Sequence, residues 1–192
     1  CLNDTRARQW MSAELLSTLR IMVELSPVET PYATLCRSIF DHDPASLFLA
    51  LYRCLEALYA WSLTNDLMRE LSLKGHWTEL AQTLEASLGW RPREEQSLVG
   101  LLALADPRDL REIAQVCGGE NDFKDPAATA GKRVYALRNS LVHYRPIHRN
   151  QNHESIDWNR LCELMATVAF YVYSKIMSGG SLVADPDPTA AA

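Results

Sequence analysis

The sequence predicts an all-α chain of about seven or eight helices, and three observations carry that expectation. Apolar residues recur at spacings of three and four along most of the 192 residues. The nine prolines and most of the eight glycines fall as punctuation between these segments. No convincing strand pattern interrupts the series, and no segment repeats another.

A first helix is expected over residues 5–25, with Trp10, Leu15, Leu19, Met22 and Val23 as an approximate stripe and Ser26-Pro27 as its end. Thr30-Pro31 offers an N-cap followed by a first-turn proline, the start of a short second helix. Asp43-Pro44 leads into one long helix over 45–73. Two apolar sets wrap most of its circumference, so it is expected to be buried among neighbours or in a partner subunit. Its Arg53 and Glu56 stand three apart and suit an ion pair with each other. Lys74-Gly75 stops it. Further helices are expected over 77–88, ended by Gly89, over 93–104, and over 107–117 behind an Asp106 cap and Pro107. Gly118 to Pro126 reads as the clearest loop. A helix over 127–144 follows, closed by Pro146, which disfavours helix at Arg145. A polar loop then precedes a last helix over 156–178. The tail from Gly179 has a disordered composition.

Composition narrows the function. The net charge is −5, so a site for a polyanion must be a local patch. No apolar run reaches the ~18 residues of a membrane span, and no signal peptide is visible. The five cysteines include no C-x-x-C pair, and Cys36, Cys54 and Cys162 sit among apolar residues as expected of core thiols. This fits a reducing, cytoplasmic compartment. The chain opens on Cys1 rather than Met, and residues 1–45 are expected to be a helical lead-in connecting to another domain of a longer protein. Gly-rich phosphate loops and metalloprotease or serine-hydrolase motifs are missing from the sequence. His143, His148 and His153 recur every five residues, but two of them fall in a Pro- and Asn-containing loop with no carboxylate before Glu154. No metal and no cofactor is expected.

The chemistry concentrates in Arg138-Asn139-Ser140-Leu141-Val142-His143. From Pro126 to His153 there is no Asp or Glu. This stretch holds Lys132, Arg133, Arg138, Arg145 and Arg149, with His143 and His148, so a phosphate backbone is the expected ligand. Helix-end dipole complementation would explain His143 and Arg145 but not Arg149. Asn139 and His143 share a helix face, whereas Arg138 lies ~140° around from His143 at ~100° per residue. A two-fold dimer that lays two such helices together would bring Arg138 and His143 to one cleft. There an RNA 2′-hydroxyl would attack the adjacent phosphorus. His143 would protonate the 5′-oxygen, and Arg138 would stabilise the phosphoryl charge. Asn139 would orient a neighbour by hydrogen bond, His143 being one candidate.

The segment Arg138-Asn139-x-x-x-His143 resembles the R-x(4–6)-H signature of HEPN domains. So do the surrounding Leu137 and Leu141-Val142-His143-Tyr144 and, less specifically, Leu51-Tyr52-Arg53-Cys54-Leu55-Glu56. The resemblance covers residues 46–178, with 1–45 unexplained and 179–192 a tail. It implies a HEPN-like helical bundle that dimerises through the motif helix. It also implies, for many members, a metal-independent endoribonuclease serving prokaryotic defence, in abortive-infection, toxin–antitoxin or CRISPR-associated systems. Carried over, Arg138 and His143 are the catalytic pair and Asn139 the supporting polar residue. Lys132, Arg133, Tyr144, Arg145, His148 and Arg149 are the expected RNA-binding set. One toxin subgroup has a modifiable tyrosine two positions after the histidine. Here Arg145 stands there, which puts that mode of regulation in doubt. Expected partners are single-stranded RNA, a second copy of the chain, and a regulatory domain or inhibitor. The alternative is a non-catalytic dimerisation or nucleotide- or RNA-binding module of a larger protein.

Overall fold

Asp-Pro steps start three of the helices, and each does so by the same physics. The Asp carboxylate accepts from an orphan amide of the first turn, and the proline occupies a position where no donor is needed. In the computed structural model, which describes residues 10–23, 43–118, 124–142 and 155–179, Asp43 accepts from the Ala45 amide at 3.1 Å. Asp106 accepts from the Arg108 amide at 2.8 Å, and Asp125 from the Ala128 amide at 3.0 Å. The helices among the described residues are α1 (Ala13–Val23), α2 (Pro44–Glu56), α3 (Trp61–Glu70), α4 (Trp77–Leu88), α5 (Glu94–Leu102), α6 (Pro107–Val116), α7 (Pro126–Val142) and α8 (Trp158–Gly179). No strand occurs among those residues, and the all-α expectation holds. None of these helices is long and apolar enough to cross a membrane.

Helix α8 is the axis of the packing and touches α1, α2, α5 and α6. Its Leu161, Met165, Val168 and Val172 are fully buried. Polar ties fix its ends. Arg160 grips the Glu112 carboxylate on α6 with Nε at 2.5 Å and Nη2 at 2.7 Å. Lys175 Nζ donates to the Leu104 carbonyl just past α5 at 3.0 Å. Helix α7 lies against both α5 and α6. It comes so close to α5 that a Cβ on Gly131 would stand 2.6 Å from a Val99 methyl.

Two expectations need correction. The first helix begins at Ala13, not at residue 5, because Ser12 Oγ accepts the Leu15 amide at 3.1 Å and caps it there. The Asn159 side chain holds the entering backbone, accepting from the Ser12 amide at 2.8 Å and donating to the Trp10 carbonyl. Residues 1–9 and 24–42, with the Thr30-Pro31 helix start, lie outside the described residues, as do 119–123 and 180–192.

The expected long helix over 45–73 is two helices. After Glu56 the backbone tightens, and Leu58, Tyr59 and Trp61 donate to carbonyls three residues back, at 2.9, 3.2 and 2.9 Å. The Leu58 amide therefore leaves the Cys54 carbonyl, its partner in a continuous α-helix. Tyr173 Oη on α8 takes the place, donating to Cys54 O at 2.8 Å. Both side chains are fully buried, so neither Tyr173 Oη nor the Cys54 carbonyl has water as an alternative partner. The expectation of burial holds for α2, where Leu47, Phe48, Leu51, Tyr52 and Leu55 are all covered. Beyond the break, within the single chain, α3 buries only Thr64.

Replacing Tyr173 by Phe strands the Cys54 carbonyl without a donor. Loss of a buried partner of this kind costs about 1–3 kcal/mol, and denaturant unfolding of the Tyr173→Phe protein should show a midpoint lowered accordingly. An unchanged midpoint would mean that the bond does not hold the break.

Candidate functional site

Helix α7 turns Ala127, Ala130, Gly131, Val134 and Leu137 toward the core. Arg138, one step beyond Leu137, therefore comes off the edge of the buried face, toward α2. Its side chain retains only 19% of its exposure. A cation this far from water needs compensation, and it has three contacts. Arg138 Nη1 donates to Asn139 Oδ1 at 2.9 Å. Arg138 Nη2 meets Glu56 Oε1 at 3.4 Å. The guanidinium carbon lies 5.5 Å from the centre of the Tyr52 ring, over its face, within cation–π range.

These contacts revise several expectations. Glu56 is matched with Arg138 across helices, not with Arg53 in the next turn; Arg53 is exposed. Asn139 gives its carbonyl oxygen to Arg138 and so helps orient the arginine. The segment from Pro126 to His153 has no acid of its own, yet the Glu56 carboxylate sits against its central cation. A charge map along the chain cannot register this, since Glu56 and Arg138 are 82 positions apart.

The remaining candidates separate. Lys132 is exposed on α7 and suited to a solution ligand. Arg133 is not free for that purpose. Its Nη1 donates to the Ala114 carbonyl at 2.5 Å, one of the last carbonyls of α6 that have no partner within their helix. His143, Tyr144, Arg145, His148 and Arg149 lie outside the described residues. The structure therefore brings together Arg138 and Asn139, adds Glu56 and Tyr52, and sets Arg133 to closing a helix end. No group of three His, Cys, Asp or Glu placed to hold a metal ion occurs among the described residues.

Beneath Arg138 the support is aromatic. Tyr59 Oη donates to Tyr52 Oη at 2.7 Å, the two rings meeting edge to face at 87° with centres 6.4 Å apart. Burial is the main cause pushing the Tyr52 phenol up from its ordinary 10.0 to about 12, and it pushes the Tyr59 phenol up further. Tyr52 thus presents a neutral face across the working pH range. Burial likewise lifts the Cys54 and Cys117 thiols from 9.0 to about 12 and raises Cys162. This makes them poor nucleophiles, in keeping with thiols that serve as packing.

Comparison with known proteins adds no identity: no family model, no curated protein and no solved structure matches the chain.

Two tests follow from this geometry. A stability cycle over Glu56→Gln, Arg138→Met and the double variant should give a coupling of about 0.5–1 kcal/mol, the size expected for a half-exposed pair. Additive effects would mean that the 3.4 Å contact carries no energy. The raised phenol and thiol values also fix an alkaline limit. In the unfolded chain these groups lose their protons near 9.0–10.0, whereas the fold keeps them to about 12. Their contribution is complete below the unfolded values and is lost as pH rises toward the folded ones. The Tm should fall progressively above pH ~9, and a flat Tm across that range would contradict the burial assignment.

Proposed function

We propose that the chain is a metal-independent endoribonuclease of HEPN type that cleaves RNA through its own 2′-hydroxyl, acting as the effector of a prokaryotic defence system. The observation that carries this reading is the holding of Arg138. Its guanidinium is fixed at three points at the rim of α7, one turn before the position of His143 in the sequence. In-line phosphoryl chemistry needs a preorganised cation together with a titratable imidazole, which His143 would supply. Arg138 stabilises charge on the non-bridging oxygens. The 2′-oxygen forms a bond to phosphorus as the bond to the 5′-oxygen breaks, and His143 delivers the proton to that leaving oxygen. The products are a 2′,3′-cyclic phosphate and a 5′-hydroxyl. Two copies joined along α7 would supply two such pairs to one cleft, and Val142, 49% exposed at the end of that helix, offers apolar surface for the contact. His143 of the partner subunit is then the group that takes the proton from the 2′-hydroxyl. Lys132 supplies outlying attraction for the phosphate chain.

A second reading has its own observation. The ion pair with Glu56 partly cancels the charge of Arg138. In that reading the arginine fastens α7 to α2, and the domain is a non-catalytic dimerisation or RNA-binding module.

Labelled single-stranded RNA incubated in EDTA separates the two. Wild type should cut it, while Arg138→Ala and His143→Ala should each lose about 100-fold or more in rate. RNA left intact by wild type, with Arg138→Ala lowering the Tm, would favour the module. Sedimentation at micromolar protein tests the dimer, and a strictly monomeric chain would remove the shared cleft.

A further inference from the structure

Arg138 is tethered in its own plane by Asn139 and Glu56, and these two tethers are unequal in kind. Asn139 is neutral and bonds Nη1 at 2.9 Å. Glu56 is charged, touches Nη2 through one oxygen at 3.4 Å, and has a side chain 34% exposed. A phosphate that approaches Arg138 competes with the carboxylate directly, since both seek the same N–H groups and repel each other. What must hold the guanidinium while the Glu56 contact loosens is a group that makes no claim on its N–H donors and does not cancel its charge. The Tyr52 face meets both conditions. It is itself fixed, being 1% exposed, hydrogen-bonded by Tyr59 and flanked by Phe48 with ring centres 6.5 Å apart.

We propose that Tyr52, its ring held by burial, is a positioning residue that sets the tilt of the Arg138 guanidinium while leaving its charge and its outer donors to the substrate phosphate. The proposal rests on the ribonuclease reading for its catalytic consequence, but the positioning itself does not. Two in-plane hydrogen bonds leave a planar group free to rock about the line joining them. Contact with an aromatic face removes that rocking motion. Arg138 then needs little reordering when the transition state forms, which raises kcat more than it lowers KM. Tyr59 adds to the burial of the Tyr52 ring through the 2.7 Å bond between their hydroxyls, which Tyr52→Phe gives up without removing the face.

The test separates the ring face from the hydroxyl and from bulk. Tyr52→Phe keeps the face and should retain kcat within about threefold, whereas Tyr52→Leu keeps only volume and should lose about tenfold or more in kcat with little change in KM. If Tyr52→Leu fails to fold, phenylalanines carrying increasing numbers of ring fluorines at position 52 weaken the face stepwise at nearly constant shape. In that series kcat should fall with each fluorine. The readout that does not depend on cleavage is the NMR signal of the Arg138 Nε–H group. It should be sharp and ordered in wild type and Tyr52→Phe, and should lose order in Tyr52→Leu and along the fluorine series. An Arg138 signal indifferent to the ring would overturn the proposal, and so would a Tyr52→Phe variant as damaged as Tyr52→Leu. Wild type that cuts no RNA, yet shows the ordered signal and its loss, would sink the ribonuclease reading and leave the positioning intact.

Discussion

The hydrogen bond from Tyr173 to the Cys54 carbonyl is the constraint on which the candidate site depends. A carbonyl in the interior of a helix normally has its amide partner four residues on. Here the chain gives that partner up, and the core helix α8 supplies a buried hydroxyl instead. The backbone tightens over the next residues. Two consequences meet at Arg138. Helix α2 stops at Glu56, which sits on its last turn facing α7. Tyr59 is placed so that its hydroxyl reaches Tyr52. The chain beyond continues as α3 and α4, of which α3 buries only Thr64 and α4 no residue fully.

Arg138 shows how a cation can be held inside a small helical fold. Taking a guanidinium most of the way out of water is costly, and an uncompensated one would be expelled or would unfold its surroundings. The structure divides the compensation among a carboxylate, an amide oxygen and an aromatic face. Only the carboxylate opposes the charge. The same arrangement serves either functional reading, as a spring-loaded phosphate site or as a fastening between two helices. What distinguishes them is whether Glu56 yields to a phosphate, a question of relative affinity rather than of shape.

The fold was legible in the sequence where local physics decides it. Asp106-Pro107, Gly89 and the run from Trp77 to Leu88 predict helix ends that the structure reproduces, because caps and left-handed glycines act within a turn. The break after Glu56 was not legible. No proline or glycine marks it, and its cause is a tyrosine hydroxyl 119 positions away. The late start of α1 has a similar origin, since Asn159 on α8 holds the backbone before it. At the site, Arg138 and Asn139 stood out through their neighbours in sequence, but their partners Glu56 and Tyr52 did not. The segment from Leu51 to Glu56 stood out as apolar helix, as a weaker part of the resemblance and for an Arg53–Glu56 pair, and none of these points to Arg138. Arg133 looked like one more member of a cationic surface, because nothing in the sequence shows that the end of another helix lies beside it.

In the proposed chemistry the substrate's own 2′-oxygen is the nucleophile, and Arg138 and His143 assist it. End-group analysis by mass spectrometry, on an oligonucleotide of deoxynucleotides with a single ribonucleotide, tests it most directly. The expected result is one cut, on the 3′ side of the ribose, leaving a 2′,3′-cyclic phosphate and a 5′-hydroxyl with EDTA present. Cleavage of the all-deoxy strand, or products ending in a 3′-hydroxyl and a 5′-phosphate, would contradict it.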